Sequence, residues 1–236
     1  MRMLHLLAAT LMVAVSGPAL AEPALTPHTA EYKVKISVVS GHLNTELTRT
    51  ADGYVANHVI RPTGMSRILS RGSMDVTSEF TEAGDGIRPV RYQAIDTIRD
   101  EPDVDLRFDW TTNEAIGTVG EDSVQLQLDG MAYDNVSIQY ELMFDLLAGA
   151  PSAQYTLFDV DKMRVAAVSM VGEKNVKTKA GDFVAVGVRH QKEGSSRTTT
   201  LWCVKELDYL PVIIEQHRKG KLNFRATLVK YSPSPG

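Results

Sequence analysis

A period of two runs through most of the chain. Tyr32, Val34, Ile36 and Val38 alternate with Lys33, Lys35 and Ser37, the spacing of a strand with one buried face. The alternation returns in "VDLRFDW" through Val104, Leu106, Phe108 and Trp110, and in "SVQLQLD" through Val124, Leu126 and Leu128. The polar residues between them face water or a wet lumen. Turn signals punctuate these runs at Ser40-Gly41, Asp52-Gly53, Asp85-Gly86, Thr112-Asn113, Gly120-Glu121, Ala180-Gly181-Asp182, Glu193-Gly194-Ser195 and Lys219-Gly220. Glycine and asparagine supply the positive φ that tight hairpins require, so neighbouring strands should be antiparallel.

Two segments break the alternation. In "YDNVSIQYELMFDLLAG", residues 133–149, Val136, Tyr140, Met143 and Leu147 recur at steps of three and four, with Asp134 placed as an N-cap and Gly149 as a stop. The spacing predicts one amphipathic helix over 134–148. "GMSRILSRG", residues 64–72, follows Pro62 and predicts a short helical turn with Met65, Ile68 and Leu69 on one side. The fold class is therefore all-β and mainly antiparallel: a curved sheet, half-barrel or spiral barrel of about a dozen strands with one helix and one short helical turn.

The chain opens "MRMLHLLAATLMVAVSGPALA", with Arg2, an apolar run from Leu4 to Val15, a Gly17-Pro18 breaker and small residues before Glu22. This layout predicts a signal peptide over 1–21, cleavage after Ala21 and a periplasmic protein. The run is shorter than the about 20 residues a spanning helix needs, so no transmembrane span is expected once the segment is removed. Residues 22–231 then form a single β-rich domain, and "SPSPG", 232–236, a disordered tail. An outer-membrane barrel would also be exported and alternating, but segments such as "RVAAVSMVGEKNVKT" carry charge on both faces.

Charge removes one class of partner. Lys and Arg number 25 against 29 Asp and Glu, a net −4, and the densest basic cluster is His217-Arg218-Lys219 with Lys221. Nucleic acid is disfavoured, because phosphate neutralisation needs a basic stripe. The histidines beyond residue 21 (His28, His42, His58, His190 and His217) form no i, i+4 pair, so no metal site and no cofactor are expected. His58 faces away from Val55 and Val59 and reads as a core or lumen residue. No nucleophile elbow or phosphate loop is present. The acidic pairs Asp100-Glu101, Asp103-x-Asp105 and Asp159-x-Asp161 fall at strand ends and read as solvated hairpin charges. The last pair also lacks the glycine and distal glutamate of a calcium loop. The single cysteine, Cys203, has no base or helix N-terminus near it in sequence and reads as a packed hydrophobe. Pro211 lacks an amide donor and marks the start of a strand rather than its middle.

"SRGSMDVTSEF", "GIRPVRYQ", "DLRFDW", "KTKAGDFVAVGVRH" and "RTTTLWCVKELDYLPVIIEQHRKGKL" together resemble the exported bacterial proteins grouped as domain of unknown function 3108, over most of residues 30–230. That resemblance implies a β-rich periplasmic protein and no defined reaction. At fold level the layout is also similar to periplasmic lipoprotein-carrier half-barrels, in which a helical lid covers acyl chains; this is analogy only. It implies helix 134–148 and turn 65–69 as lids, and Met65, Ile68, Leu69, Phe108, Trp110, Leu142 and Trp202 as ligand-binding residues. The expected function is a non-enzymatic periplasmic protein that binds a lipid-like or other envelope amphiphile. The alternative is a module for an envelope protein partner, acting through an open sheet edge; a hydrolase without a recognisable motif ranks behind both. A packed Cys203 predicts slow maleimide labelling of the native protein and fast labelling after denaturation; fast native labelling would contradict that assignment.

Overall fold

The computed structural model describes residues 24–234 apart from 37, 38, 70, 85, 150, 160 and 161, and apart from the side chain of Leu69. The predicted export segment, Val38, Asp85, Asp161 and the last two residues of the predicted tail lie outside the described residues.

Each run of alternation becomes a strand. In chain order these are β1 (His28–Ile36), β2 (Val39–Arg49), β3 (Gly53–Pro62), the short helix α1 (Ser66–Leu69), β4 (Met74–Ala83), β5 (Gly86–Asp96), β6 (Glu101–Asp109), β7 (Glu114–Val119), β8 (Asp122–Gln127) and β9 (Ala132–Tyr133). Helix α2 (Ser137–Ala148) follows, then β10 (Gln154–Asp159), β11 (Lys162–Lys177), β12 (Asp182–Lys192), β13 (Arg197–Val204), β14 (Leu210–Arg218) and β15 (Lys221–Pro233). A single 3₁₀ turn, Lys205–Leu207, joins β13 to β14. Pro211 is the second residue of β14, beside the register shift at Trp202 and Cys203, where a missing amide interrupts the ladder least.

All 15 strands belong to one sheet, ordered β8-β7-β6-β5-β4-β3-β2-β1-β15-β14-β13-β12-β11-β10-β9. Two arms of sequential hairpins meet where β1 pairs antiparallel with β15, from His28 opposite Pro233 to Ile36 opposite Phe224. Among the described residues only β9 and β10 pair in parallel. The sheet is not closed by hydrogen bonds, yet β9, at the end of one arm, lies against β5 in the other. The curl follows from the right-handed twist that accumulates over many strands.

Register decides what faces inward. Tyr32 and Val34 of β1 stand opposite Leu43 and Gly41 of β2, and Leu43 stands opposite Ile60 of β3. Tyr32, Val34, Leu43 and Leu47 are buried, whereas Glu31, Lys33, Lys35, His42, Asn44 and Glu46 are exposed. The outward face of these strands is polar and charged, the reverse of the apolar band of a membrane barrel.

Helix α2 fills the concave side. It lies against β4 and β5 and buries Ile138, Tyr140, Leu142, Met143, Phe144 and Leu146 together with Ser137 and Glu141. The expected amphipathic helix is thus corrected to one covered on most sides: of the predicted stripe Val136, Tyr140 and Met143 are buried and Leu147 only partly so, and the opposite side is covered as well. The helix also starts at Ser137, later than expected. Asp134 stands ahead of it as a turn residue, its carboxylate accepting the amides of Val136 and Ser137, each at 2.8 Å. Gly149 ends the helix in the left-handed region at φ 75°, the stop that glycine makes available.

Two further expectations are corrected. Helix α1 is no lid: Met65 and Ile68 are 78% and 72% exposed. The turn is tied outward over β2, where the Ser66 hydroxyl accepts the Ser40 amide at 2.9 Å. Trp202 does not line the concave face. It stands opposite Ile213, which stands opposite Thr227, which stands opposite the exposed Lys33, so it belongs to the outer face. There it leans over Gly187, where a Cβ would lie 2.7 Å from the indole ring.

Leu142, 1% exposed, reports on this packing. Leu142→Ala is expected to cost about 2–5 kcal/mol, which at roughly 2–4 °C per kcal/mol for a domain of this size is a clear drop in Tm by calorimetry. An unchanged Tm would mean that the helix is not part of the core.

Candidate functional site

The chain turns sharply between β4 and β5, and the space between that turn, α2 and the β9–β10 edge is a groove of about 520 Å³, open on one side. Its deep part is polar. Glu141, buried on α2, accepts the amide of Ile87 at 2.8 Å and the hydroxyl of Tyr133 at 2.7 Å. One turn along, Asp145 accepts the hydroxyl of Tyr155 and, at 3.4 Å, the amide of Ser152. The Tyr133 and Tyr155 rings meet edge to face with centroids 5.8 Å apart, a favoured aromatic arrangement. At the mouth, Met131 and Val165, 36% and 39% exposed, stand beside the polar side chains of Ser152, Gln154 and Thr156.

Local sequence explains why these groups meet. Glu141 and Asp145 are four residues apart and so share one helix face. Gly86 lets the strand come up to that face, since a Cβ there would lie 2.7 Å from a Glu141 carboxylate oxygen. The helix start is pinned separately: Asp134, fully buried, accepts the Ser78 hydroxyl of β4 at 2.7 Å. Burial raises the Asp134 carboxyl above its ordinary pKa, against the lowering effect of its bonds from Ser137 and Ser78. Burial likewise raises the Tyr133 and Tyr155 phenols, with the neighbouring carboxylates Glu141 and Asp145 adding to it. At neutral pH both stay hydrogen-bond donors. The groove can therefore accept hydrogen bonds from a ligand at its carboxylates and hold an apolar segment at its mouth.

A second polar cluster lies deeper. The Tyr140 hydroxyl of α2 is 3.2 Å from His58 Nε2, and the Tyr140 ring packs beside His28 with centroids 6.4 Å apart. His28 Nδ1 bonds the Thr26 carbonyl at 2.8 Å while its buried Nε2 has no partner. Tyr32 donates to the Pro211 carbonyl at 2.9 Å. Cys203 is buried, and burial pushes its thiol well up, which disfavours the thiolate form. Among the described residues no group of three or more His, Cys, Asp or Glu could hold a metal ion. Two of the acidic hairpin residues are tied to cations: Asp105 takes two bonds from Arg91, which hold its carboxyl low, and Asp159 pairs with Lys192 and Arg164.

The residues proposed from sequence do not converge on one site. Phe108 and Trp110 do meet, stacked at 6.1 Å and 11°, with the indole N–H donating to the Pro89 carbonyl and Arg88 over the ring. Leu142 is in the core. Trp202 is on the outer face, its N–H donating to Glu215 at 3.0 Å and Lys174 sitting 3.6 Å from the ring centroid. Met65, just ahead of α1, and Ile68 within it are exposed, and the Leu69 side chain lies outside the described residues. Sequence reasoning missed Glu141, Asp145, Tyr133 and Tyr155. The signal was the four-residue spacing of the two acids on a helix read only for its apolar stripe.

Fold and site together define a class: an open, mainly antiparallel β-barrel-like protein with an internal helix and a polar seam groove. The model of the protein family of unknown function DUF3108 matches residues 29–227, and the chain belongs to that family. It is similar to a solved β-barrel-like protein of domain of unknown function DUF1849 from Brucella abortus, with a TM-score of 0.59 and 14% identity over 90% of this chain and 99% of that one. At that identity the likeness concerns the fold alone. No curated protein matches the chain.

The interior histidines set a pH dependence. Burial, then the neighbouring His28, lowers His58 to about 4 from an ordinary 6.5, and burial also lowers His28. The folded state binds these protons less readily than the unfolded one, so the stability they support is complete above pH 6.5 and is lost as pH falls toward 4. The raised carboxyl of Asp134 acts in the opposite sense, so a comparison of slopes isolates the imidazole. His58→Phe should flatten the fall in unfolding free energy between pH 6.5 and 4, by up to about 1.4 kcal/mol per pH unit. An unchanged slope in urea titrations would remove His58 as its source.

Proposed function

We propose that the protein is a non-enzymatic binding protein of the bacterial periplasm, and that it takes an amphiphile in the seam groove. The observation that carries this reading is the division of the groove: Glu141 and Asp145 with Tyr133 and Tyr155 at depth, Met131 and Val165 at the mouth. A head group that donates hydrogen bonds, hydroxylated or ammonium, matches the carboxylates. An apolar tail lies along the mouth, where each methylene removed from water contributes about 0.8 kcal/mol. Binding is favoured over turnover because the carboxylates in the groove already hold hydrogen bonds to fixed protein partners, and the thiol is buried elsewhere. The opening sequence, with its export layout, supports the compartment.

The test is native mass spectrometry of gently purified protein, followed by solvent extraction. A discrete extra mass released by organic solvent is expected, and it should be absent from Met131→Asp/Val165→Asp, which alters only half-exposed positions. Asp145→Asn should weaken rebinding of the extracted compound about tenfold, the loss of one charge-assisted bond. A clean apo mass, or a ligand retained by the double variant, would overturn the reading.

A further inference from the structure

The register of the sheet places the β1–β2, β3–β4, β5–β6 and β14–β15 connections at one end of the molecule, opposite the β4–β5 turn that borders the groove. That end is divided in charge. Along the neighbouring strands β3, β2, β1, β15 and β14 it carries Arg61, Arg67 and Arg71 on one side and Lys35, Lys219 and Lys221 on the other, all exposed. At about 4.8 Å per strand the basic stretch is roughly 20 Å wide. Arg61 pairs with Asp75 at 3.5 Å; the other five form no ion pair with a described residue. The acids of this end gather on the β5–β8 side, at Asp100, Glu101, Asp103, Glu121 and Asp122, with Glu193 on the β12–β13 loop. A chain with a net charge of −4 thus presents a half-rim of opposite sign.

The same half-rim carries apolar side chains in water. Met65, just ahead of α1, and Ile68 within it stand in water over β2, where Ser66 holds the turn, and Leu222 stands just after the β14–β15 turn at 51% exposure. The Arg67 guanidinium is braced on the Pro62 carbonyl at 3.3 Å, which keeps its charge beside Met65 and Ile68.

We propose that this half-rim docks on the surface of an anionic lipid bilayer. The cations meet the headgroup charge, and Met65, Ile68 and Leu222 enter the boundary between headgroups and acyl chains. An acidic protein surface would satisfy the cations but would leave the long side chains of Met65 and Ile68 without an apolar partner. A bilayer interface accepts both. Docked this way, the seam groove at the opposite end faces away from the membrane.

Vesicle sedimentation of the protein, in the form recovered from cells, tests this with phosphatidylcholine alone and phosphatidylcholine mixed with phosphatidylglycerol. Binding only to the mixed vesicles is expected, falling steeply as salt is raised. Lys219→Glu/Lys221→Glu should reduce partitioning roughly tenfold or more, and Met65→Ser/Ile68→Ser should reduce it severalfold while leaving the salt dependence in place. These positions are exposed, and an unchanged melting curve confirms the fold. Absence of binding to the mixed vesicles at low salt, equal binding to both vesicle types, or wild-type binding by either variant overturns the proposal. Because no groove residue is altered, the result is independent of whether the groove holds a ligand.

Discussion

A helix packed inside a curved sheet can stay there only if each of its polar groups finds a partner before water is lost. Helix α2 and the turn ahead of it meet this condition residue by residue: Asp134 in the turn is answered by Ser78 of β4, and on the helix Tyr140 is answered by His58 of β3 and Glu141 by the Ile87 amide of β5. An unanswered polar group at one of these points costs about 1–3 kcal/mol and an unanswered charge several, a large share of the stability of an ordinary domain. The strands are therefore committed as much as the helix. Gly86 has no side chain because the Glu141 carboxylate occupies the place where one would begin. The groove results from the same commitment, since Glu141, which holds α2 against β5, and Asp145, which holds it against Tyr155 of β10, both line it.

The alternation of apolar and polar residues carried most of the architecture. A period of two is imposed by the pleat itself, so Tyr32 and Val34, Leu106 and Phe108 declared their buried faces without help from the rest of the chain. His58 and Cys203 were legible for a related reason: a polar or reactive residue with apolar neighbours at matching phase is carried inward with them. The environment of the helix was less legible. Its stripe at 136, 140 and 143 was visible, but periodicity reports only the face an element needs to bury. That the opposite face would be covered by the returning β9–β10 edge depends on the curl of the whole sheet. The same limit explains Trp202, whose aromatic character suggested a concave wall although the phase of Leu201 and Cys203 already placed it outside. Met65 and Ile68 formed one apolar side as read, but sequence could not say whether that side met protein or solvent.

Position of a ligand follows from magnitudes. An acyl chain in the lumen would have to displace α2, re-exposing Ile138, Tyr140, Leu142, Met143, Phe144 and Leu146. At about 1.5–3 kcal/mol for each such side chain, the cost is on the order of 10 kcal/mol before the polar partners are counted, comparable to the entire stability of many domains. A carrier that opened this way would unfold. The site proposed at the seam asks for much less, because Met131 and Val165 are already partly in water and binding there does not require the hydrogen bonds of Glu141 and Asp145 to break. Helical lids of the half-barrel kind therefore give a poor guide to this molecule: its helix is part of the core around which the sheet curls, and the surfaces proposed for recognition lie instead at the seam and at the ends of the strands.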